Sequence, residues 1–304
     1  METEKIGMVR EIYRAVKNWA ISRLTYFSPE TVSKIRYKQA LGRNLNLKNP
    51  QEFNEKLMWL KLNTYYKNPR VIQCADKVEV RKYVEKRGCK EILVDCIGVY
   101  DKASKISWGD LPKQFVLKCN HGAGYNIVCN DKNSLNIKDS EKNLNKWLKR
   151  DYSLPNAEMQ YHYIKPRIIC EKYLQPHKGL LPDDYKVYCY NGKAEYILLC
   201  QERETGHSKF HLFDRDWNFL NWIVSTFYEP MPEVIQPPCL DKLLYYAERL
   251  STGFPFVRID FYVMGDKIFF GEMTFTPCGC LDSDYTDEGN RGLSEKLILP
   301  LQVL

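Results

Sequence analysis

Two acidic residues near the C-terminus, Asp260 and Glu272, have the types and spacing of a metal-binding pair on a β-hairpin. They lie in two apolar runs, 256–264 and 268–275, which a short loop at 265–267 separates. Two carboxylates that face each other across a sheet repel unless a cation lies between them. Mg²⁺ carrying substrate phosphates is the common biological solution. The alternative is a solvated sheet face with an arginine–carboxylate network, and the hairpin alone leaves both interpretations open.

The register of this hairpin follows from its apolar residues. If Met264 faces Ile268 across the loop, the two carboxylates lie directly opposite each other, and Arg258 lies opposite Thr274. The same register forms one apolar face from Ile259, Phe261, Val263, Phe269, Gly271 and Met273. A slip by one residue would mix the two faces and bury charges, so the pattern selects this register. Arg258 would then lie beside the carboxylates, where it could hold a phosphoryl oxygen.

A glycine-containing turn, His121-Gly-Ala-Gly124, follows a predicted strand at 115–119 and precedes another at 125–129. Backbone N–H groups of such a turn bind phosphate oxygens, and a lysine such as Lys118 neutralises their charge. The pattern matches neither the Walker loop nor the dinucleotide fingerprint. An ordinary hairpin turn with an exposed lysine is therefore the alternative, and His121 has no identifiable partner for acid–base chemistry.

Helices come first in this chain and β-hairpins follow. Apolar spacing predicts helices at 51–62, 76–87 and 240–250. Strands are predicted at 167–174, 184–190, 193–200, 209–213 and 217–222, with Asn191-Gly192 as the clearest hairpin turn. This order favours an α+β protein with antiparallel sheets. A doubly wound nucleotide fold is disfavoured, because strands and helices do not alternate regularly.

The 304 residues have a globular composition and a net charge of +7. This mild surplus suits an anionic ligand such as a nucleotide or an acidic sugar, whereas no RNP, zinc-finger or long basic-helix pattern indicates nucleic acid. The eleven cysteines are odd in number and include no C-x-x-C pair, which predicts reduced thiols in a cytoplasmic protein. Cys278-Gly-Cys280 is a close pair without the second pair that a zinc site needs.

The N-terminal residues 5–27 have the pattern of a basic amphipathic helix. Its apolar stripe consists of Ile6, Val9, Ile12, Tyr13, Val16, Trp19 and Ala20, and its basic residues are Lys5, Arg10, Arg14, Lys17 and Arg23. We expect the helix to dock on its own domain, and a peripheral membrane contact is the alternative. The sequence has no apolar run of membrane-spanning length and no signal-peptide core, so a cytoplasmic location is expected.

The order of these features resembles that of the ATP-grasp superfamily. Along the chain it runs Asp76-Lys77, FVLK at 115–118 with the glycine turn, ICEKYL at 169–174, DYK at 184–186, RID at 258–260 and GEMT at 271–274. More narrowly, the chain resembles the TupA-like ATP-grasp proteins associated with bacterial surface polysaccharide synthesis. The phrases FNEKLMWLKL, ADKVEVRKYV, LPKQFVLKCNHGAGYN and FGEMTFTP carry this narrower resemblance, which covers nearly the whole chain from about residue 35 onward.

The resemblance implies a role for particular residues. The implied nucleotide-binding residues are Lys77, Lys118, Gly122, Ala123, Gly124, Tyr125, Glu171, Lys172, Tyr173, Leu174 and Asp184. The two lysines would bind the phosphates, the glycine loop would close over them, and backbone groups of Lys172 and Leu174 would meet adenine. Asp184 and Lys186 would line the ribose or the γ-phosphate, or else only begin a strand.

The resemblance also implies magnesium ligands at Asp260 and Glu272. Arg258 would stabilise the transferred phosphate, and Arg258 and Lys186 are the catalytic candidates. One position departs from the family pattern, because Thr274 stands where the family has an asparagine as third ligand. A hydroxyl is a poorer metal ligand than an amide oxygen, so Thr274 would act through a water molecule.

The fold expected from the resemblance is α+β, an ATP-grasp fold in which two antiparallel-sheet lobes sandwich ATP. The expected domains are a mostly helical region at 1–112, a small lobe with the glycine loop at 113–178 and a large lobe with the metal site at 179–304. The expected partners are ATP, Mg²⁺, a carboxylate-bearing glycan or sugar precursor, and an amine.

The expected activity is that of an ATP-dependent carboxylate–amine ligase that forms an amide through an acylphosphate. The carboxylate would be a uronic acid of a capsular or cell-surface polysaccharide, and the amine an amino acid or an amino alcohol. One alternative is a nucleotide-sugar glycosyltransferase of the same pathway, for which Asp282-Ser-Asp284 would be the metal motif. The other is a non-catalytic binding protein that has kept the fold.

Overall fold

The structure is a computed structural model that describes residue 16 and residues 18–176, 181–224 and 234–300. Its helices are α1 (18–27), α2 (Pro29–Leu41), α3 (Phe53–Leu62), α4 (Pro69–Ala75), α5 (Val80–Lys86), α6 (Ile137–Leu148), α7 (Leu240–Ser251) and α8 (Asp287–Lys296). Its strands are β1 (Cys96–Tyr100), β2 (Phe115–Cys119), β3 (Asn126–Cys129), β4 (Ile168–Lys172), β5 (Asp184–Tyr190), β6 (Lys193–Gln201), β7 (Lys209–Asp214), β8 (Phe219–Leu220), β9 (Phe256–Met264) and β10 (Lys267–Thr274). The helical N-terminal region and the α+β class are confirmed.

The first sheet has four strands in the order β1-β4-β2-β3, and all of its neighbouring strands are antiparallel. Alternate residues of β2 are buried, and Phe115 and Leu117 form a core with Leu144 of α6. β1 begins at Cys96, so the region at 1–112 contributes a strand to this sheet. The predicted division of the chain into domains stays a prediction.

The second sheet has six strands in the order β10-β9-β5-β6-β7-β8, again antiparallel throughout. Its apolar face includes Val187 of β5 and Ile259 of β9, which share a core with Leu243 and Ala247 of α7. The helices α3, α4 and α5 contribute to the same core through Phe53, Leu57, Val71 and Val84. The N-terminal helices therefore pack with the second sheet. The opposite face carries Asp184, Lys186, Arg258, Asp260 and Glu272, and next to them Tyr188, Tyr190 and Phe256 pack on Phe53 of α3.

The β9–β10 hairpin confirms the predicted register at its functional end, since Asp260 pairs with Glu272 and Arg258 pairs with Thr274. At the other end the prediction is wrong. Lys267 pairs with Met264, so the turn has two residues and not three. The difference arises at a β-bulge between the two ends.

The bulge lies at Gly271, where the pairing shifts by one residue between Phe270 and Glu272. A Cβ on this glycine would lie 2.8 Å from the carbonyl oxygen of Asp260, closer than a side chain can approach. Phe270 and Ile268 therefore take the places on the apolar face that the sequence analysis gave to Gly271 and Phe269.

The helix predicted at 76–87 begins only at Val80, because residues 76–79 form a turn between α4 and α5. Asp76 Oδ1 accepts hydrogen bonds from the backbone N–H groups of Val78, at 2.8 Å, and of Glu79, at 3.3 Å. A short acidic side chain that bonds the backbone locally competes with helical hydrogen bonds. Lys77 consequently projects from a turn.

The docked face of α1 differs from the predicted apolar stripe. Ile21 packs with Val32 of α2 and Ala157, whereas the side chains of Val16 and Trp19 are exposed. The rest of the predicted helix, 5–15 and residue 17, lies outside the described residues. None of the helices in the described ranges is long and apolar enough to cross a membrane. All eleven cysteines are free.

We expect the substitution Gly271→Ala to lower the free energy of unfolding by about 1–3 kcal/mol, because the added Cβ must displace the Asp260 carbonyl. Urea unfolding measures this change. Gly109→Ala is the control, since no atom lies within 4 Å of its added Cβ. The control should be neutral or stabilise the protein by about 0.4–1 kcal/mol through the unfolded chain. Equal effects of the two substitutions would contradict the role of the bulge.

Candidate functional site

Three neighbouring strands of the second sheet carry the candidate site. β5 pairs with β9 so that Lys186 lies opposite Asp260, and β9 pairs with β10 so that Asp260 lies opposite Glu272. Because side chains alternate across a sheet, Asp184 shares this face with Lys186, and Arg258 shares it with Asp260. The sheet thus gathers three predicted carboxylates and two predicted cations on one surface.

Asp260 is buried and is bound by two cations. Arg258 donates two hydrogen bonds to it, from Nε to Oδ1 and from Nη2 to Oδ2, each 2.7 Å long. Lys186 Nζ donates to Oδ2 of Asp260 at 3.0 Å and to Oδ2 of Asp184 at 2.5 Å. Burial opposes the charge of Lys186, but the carboxylates of Asp260 and Asp184 outweigh it and raise the pKa of this lysine. The bidentate arginine fixes the orientation of the aspartate.

Glu272 is held by a cation from a different part of the chain. Lys77 Nζ lies 3.1 Å from its Oε2, and the hydroxyl of Thr274 donates to its Oε1 at 3.2 Å. The charge of Lys77 lowers the pKa of Glu272 to about 2 against the opposing effect of burial, and Arg258 adds to this lowering. Glu272 is therefore ionised at neutral pH, as a metal ligand must be.

Lys77 also connects the two sheets. Its Nζ donates to the carbonyl oxygen of Gly122, at 2.8 Å, in the glycine loop of the first sheet. A Cβ on Gly122 would lie 2.6 Å from the ring of Tyr152, so only glycine fits there. Ala123 and Gly124 are exposed at the tip of the loop, and Gly124 has a φ of +74°. Tyr125 lies in the loop between β2 and β3, because the strand that was predicted to begin at this residue begins at Asn126.

Lys118 and Glu171 lie on adjacent strands of the first sheet and form an ion pair of 2.7 Å. Burial opposes the charge of Lys118, but Glu171 outweighs it and raises the pKa of the lysine. The pair lines a cleft of about 110 Å³ between the two sheets, together with Val94, Val116, Val128, Lys172, Tyr173, Leu174, Arg203 and Tyr262. The Lys172 N–H donates to the carbonyl of Asp95, at 2.9 Å, so its amide is engaged within the protein.

Two residues of this cleft, Arg203 and Tyr262, were missed by the sequence analysis. The Arg203 guanidinium lies 5.5 Å from the ring centroid of Tyr262, 3.3 Å from Asp184 Oδ2, and donates to the carbonyl of Pro182 at 3.0 Å. Its Nε is buried without a hydrogen-bond partner in the described part of the chain. Tyr262 could have been found, because it alternates with Arg258 and Asp260 on β9. Arg203 follows the end of β6, and no pattern in the sequence there indicates which way its side chain points.

His121 is buried beside the glycine loop, and its role is structural. Its Nε2 lies 3.2 Å from the carbonyl oxygen of Trp147 and 3.1 Å from that of Arg150. Burial lowers the pKa of this histidine, so it is neutral and donates to these backbone groups. This supports the interpretation that His121 shapes the backbone.

The oxygen donors at this site fit a magnesium ion that carries a nucleotide. Among the described residues, no group of three or more histidine, cysteine, aspartate and glutamate side chains could hold an ion by itself. Magnesium in phosphate-transfer sites, however, takes one or two carboxylates and completes its shell with phosphate and water. Asp260 and Glu272 would supply those carboxylates, and Oδ1 of Asp184 is buried beside them without a partner in the described ranges. The hydroxyl of Thr274 donates to Glu272 and accepts a hydrogen bond from Arg258, so it orients these two side chains.

The sequence model of a family described as TupA-like ATPgrasp matches residues 55–298. No curated protein sequence matches this chain. Solved structures with a similar fold include the D-alanine–D-alanine ligase of Bacillus anthracis, which is 16% identical over 67% of this chain and 57% of that chain, with a TM-score of 0.39. The same enzyme of Helicobacter pylori is 13% identical over 81% and 69%, with a TM-score of 0.44.

An L-amino acid ligase of Bacillus licheniformis is also similar in fold. It is 11% identical over 73% of this chain and 48% of that chain, with a TM-score of 0.43. This chain spans less than two thirds of the length of the Bacillus anthracis ligase and of the Bacillus licheniformis ligase.

We expect the substitution Lys77→Met to destabilise the protein in a pH-dependent way. The pKa of Glu272 falls from 4.5 to about 2 on folding, so its pairing stabilises the folded state fully above pH 4.5 and is lost as the pH falls through about 2. The difference in melting temperature between wild type and variant should therefore shrink as the pH is lowered across this range. Thermal unfolding at a series of pH values measures it.

Lys34→Met is the matched control for this experiment. Lys34 pairs with Glu30 on the surface, where both side chains are about half exposed. Such pairs contribute about 0–1 kcal/mol, so the control should change stability little at any pH. A difference between wild type and Lys77→Met that stays constant down to pH 2 would contradict the assigned ion pair.

Proposed function

Because this chain belongs to the TupA-like ATP-grasp family, we propose that it binds Mg·ATP between its two sheets and uses it to join a carboxylate to an amine. The observation that carries the proposal is the facing pair Asp260 and Glu272, with cations from three segments gathered on it. Asp260 and Glu272 would hold the magnesium ion. When bound, the ion would supply a positive charge that draws the terminal phosphates towards these strands.

The charges of the site support a triphosphate as the ligand. Its ion pairs involve six cationic side chains and four carboxylates, which are Lys77, Arg81, Lys118, Lys186, Arg203 and Arg258 with Glu171, Asp184, Asp260 and Glu272. This set of side chains thus has a surplus of two positive charges. A magnesium–nucleotide complex remains negative, so it compensates this surplus, whereas magnesium alone would increase it.

The protein's part in the proposed reaction is to position and to stabilise charge. A carboxylate oxygen of the substrate attacks the γ-phosphorus of ATP, the bond to the bridging oxygen breaks, and ADP leaves. Arg258 and Lys186 offset the charge on the transferred phosphoryl group, and Lys77 holds the glycine loop beside it. The amine nitrogen then attacks the acyl carbon of the acylphosphate. Inorganic phosphate leaves, a proton passes from the nitrogen to solvent, and an amide remains.

The nucleotide base would lie in the cleft lined by Lys118 and 171–174. Its valine walls suit a planar apolar ring, and the backbone of Lys172 and Leu174 would read the edge of adenine. Since the Lys172 N–H is already bonded to Asp95, its carbonyl is the group left for this contact. For the carboxylate we propose a uronic acid of a cell-surface polysaccharide, and for the amine an amino acid or amino alcohol. The family resemblance and the surplus of positive charge at the site support this choice.

The glycosyltransferase alternative rested on Asp282-Ser-Asp284. In the structure, Asp282 Oδ1 accepts the backbone N–H of Asp284 at 3.0 Å, as in a local turn. No observation on these residues favours sugar-nucleotide binding, and the test below includes the corresponding ligand.

We expect Mg·ATP to raise the melting temperature of the wild type and to fail to do so for Lys118→Met. A ligand at about one hundred times its dissociation constant adds roughly 2.7 kcal/mol, which is readily measured. In the variant Glu171 keeps its second cation, Arg81, at 3.4 Å, so the fold should survive. ATP without magnesium should stabilise the wild type much less, because the two carboxylates would then oppose the phosphates.

Lys193→Met is the matched control, since its partner Glu195 also keeps a second cation, Lys296, at 3.0 Å. This control should respond to Mg·ATP like the wild type. Stabilisation by a UDP-sugar and not by Mg·ATP would contradict the proposal and favour the glycosyltransferase. For turnover, Glu272→Gln should abolish magnesium-dependent ADP release, and undiminished release would remove the proposed metal site.

We also expect Arg203→Gln to raise the KM for ATP about tenfold, with a smaller effect on kcat. Its guanidinium forms one wall of the cleft, and losing one charge-assisted hydrogen bond to the nucleotide corresponds to roughly that factor. Steady-state kinetics at saturating carboxylate and amine measure the change. Arg215→Gln is the control, because Arg215 pairs with Glu248 at 3.5 Å away from this cleft. A loss confined to kcat would place Arg203 with the reacting groups instead.

A further inference from the structure

Helix α1 presents an apolar face to solvent. The side chains of Val16, Trp19 and Phe27 are 59%, 63% and 86% exposed. Together with Ala20, these residues recur at spacings of three, four and seven, so they lie along one side of the helix. The other side, which includes Ile21, is the one that docks on the protein. Large apolar side chains arranged as a stripe on a helix surface mark a contact with another phase or molecule.

Much of the positive charge of the protein lies in the segment of the sequence that contains this helix. Residues 18–48 contain six basic residues and a single acidic one, which are Arg23, Lys34, Arg36, Lys38, Arg43 and Lys48 against Glu30. This segment alone therefore carries +5 of the net charge of +7. Arg23 lies on the exposed face itself, with its guanidinium 5.7 Å from the centroid of the Trp19 ring.

We propose that this face of α1 binds the surface of an anionic lipid membrane, with Trp19 and Phe27 inserted at the level of the headgroups. Aromatic side chains favour this depth, and basic residues around an apolar stripe are attracted by anionic lipids. A second copy of the chain is a poorer occupant. A two-fold contact would bring the same basic segment of both copies together, and like charges would oppose it.

The face is attached to the part of the protein that supports the glycine loop. Thr25 Oγ1 donates to the carbonyl of Leu154, at 2.8 Å, and the Tyr26 hydroxyl donates to Asp151 Oδ2, at 3.3 Å. Between these two contacts lies Tyr152, whose ring packs against Gly122. A helix bound to lipid would therefore hold the glycine-loop side of the cleft near the membrane. The inference itself does not depend on the proposed reaction.

Co-sedimentation of the full chain with lipid vesicles tests this proposal. Vesicles of phosphatidylcholine and phosphatidylglycerol in roughly a three-to-one ratio supply the anionic surface, and pure phosphatidylcholine supplies the neutral one. We expect sedimentation with the anionic vesicles, at least tenfold weaker binding to the neutral ones, and a loss of binding at high salt. The variant Trp19→Ser/Phe27→Ser should lose binding about tenfold or more, because it removes both inserted side chains.

Three variants separate this role from a general loss of structure. Trp19→Phe/Phe27→Leu keeps an apolar face and should bind like the wild type. Arg23→Gln should weaken binding to anionic vesicles only. Val224→Ser/Ile298→Ser removes two side chains of comparable exposure, 61% and 70%, elsewhere on the surface and should bind normally. Stabilisation by Mg·ATP, measured on each variant, reports on the cleft separately from the helix.

Several results would overturn the proposal. One is a wild type that does not sediment with anionic vesicles. Another is equal binding by wild type and Trp19→Ser/Phe27→Ser. A third is self-association of the wild type, seen by light scattering after size exclusion and lost in that variant, without vesicle binding. The last result would identify the face as an interface between copies of this chain.

Discussion

The mutual repulsion of Asp260 and Glu272 is the constraint on which the rest of the site depends. Two carboxylates on adjacent strands are tolerated because cations surround them, and these cations come from distant parts of the sequence. Lys186 comes from the neighbouring strand, and Lys77 from a turn between two N-terminal helices. Since Lys77 also bonds the glycine loop, one ammonium group joins the helical region, the first sheet and the second sheet.

This arrangement explains why nucleotide and metal should bind together. Removing one partner of a buried ion pair costs several kcal/mol, because the remaining charge is left unpaired. Phosphates that drew Lys77 and Lys186 away would leave Glu272 without its lysine and Asp260 with Arg258 alone, and magnesium alone would weaken the pairing of the two lysines. In the proposed complex the metal would take the carboxylates and the phosphates would take the lysines. The folded protein therefore contains a set of ion pairs that the complete ligand would replace.

The sequence predicted the functional half of the hairpin because alternation of polar and apolar residues selects a register wherever one face is buried. It did not predict the bulge, since the need for glycine at 271 arises from the approach of the Asp260 carbonyl. The turn around Lys77 was read as helix because a local side-chain bond by Asp76 outweighs helical periodicity. Arg203 was missed because it reaches the cleft from beyond the end of a strand. Strand β1 was missed because its polar and apolar residues do not alternate clearly. Contacts between segments that are apart in the sequence account for the bulge and for Arg203, whereas the turn at Asp76 arises from a local hydrogen bond.

The N-terminal segment stands apart from the rest of the chain in three respects. The family match begins at residue 55, so α1 and α2 lie before it. α1 packs on α2 and on the connection between α6 and β4, whereas Tyr37 of α2 belongs to the main core. Residues 18–48 also carry +5 of the net charge of +7. This segment builds no part of the cleft, and it keeps tryptophan and phenylalanine exposed among basic residues. Exposed apolar side chains of this kind do not stabilise the fold. A contact outside the protein explains this exposed face. An anionic lipid surface fits it, because the charge of the lipid is opposite to that of the basic residues and the headgroup layer suits aromatic side chains.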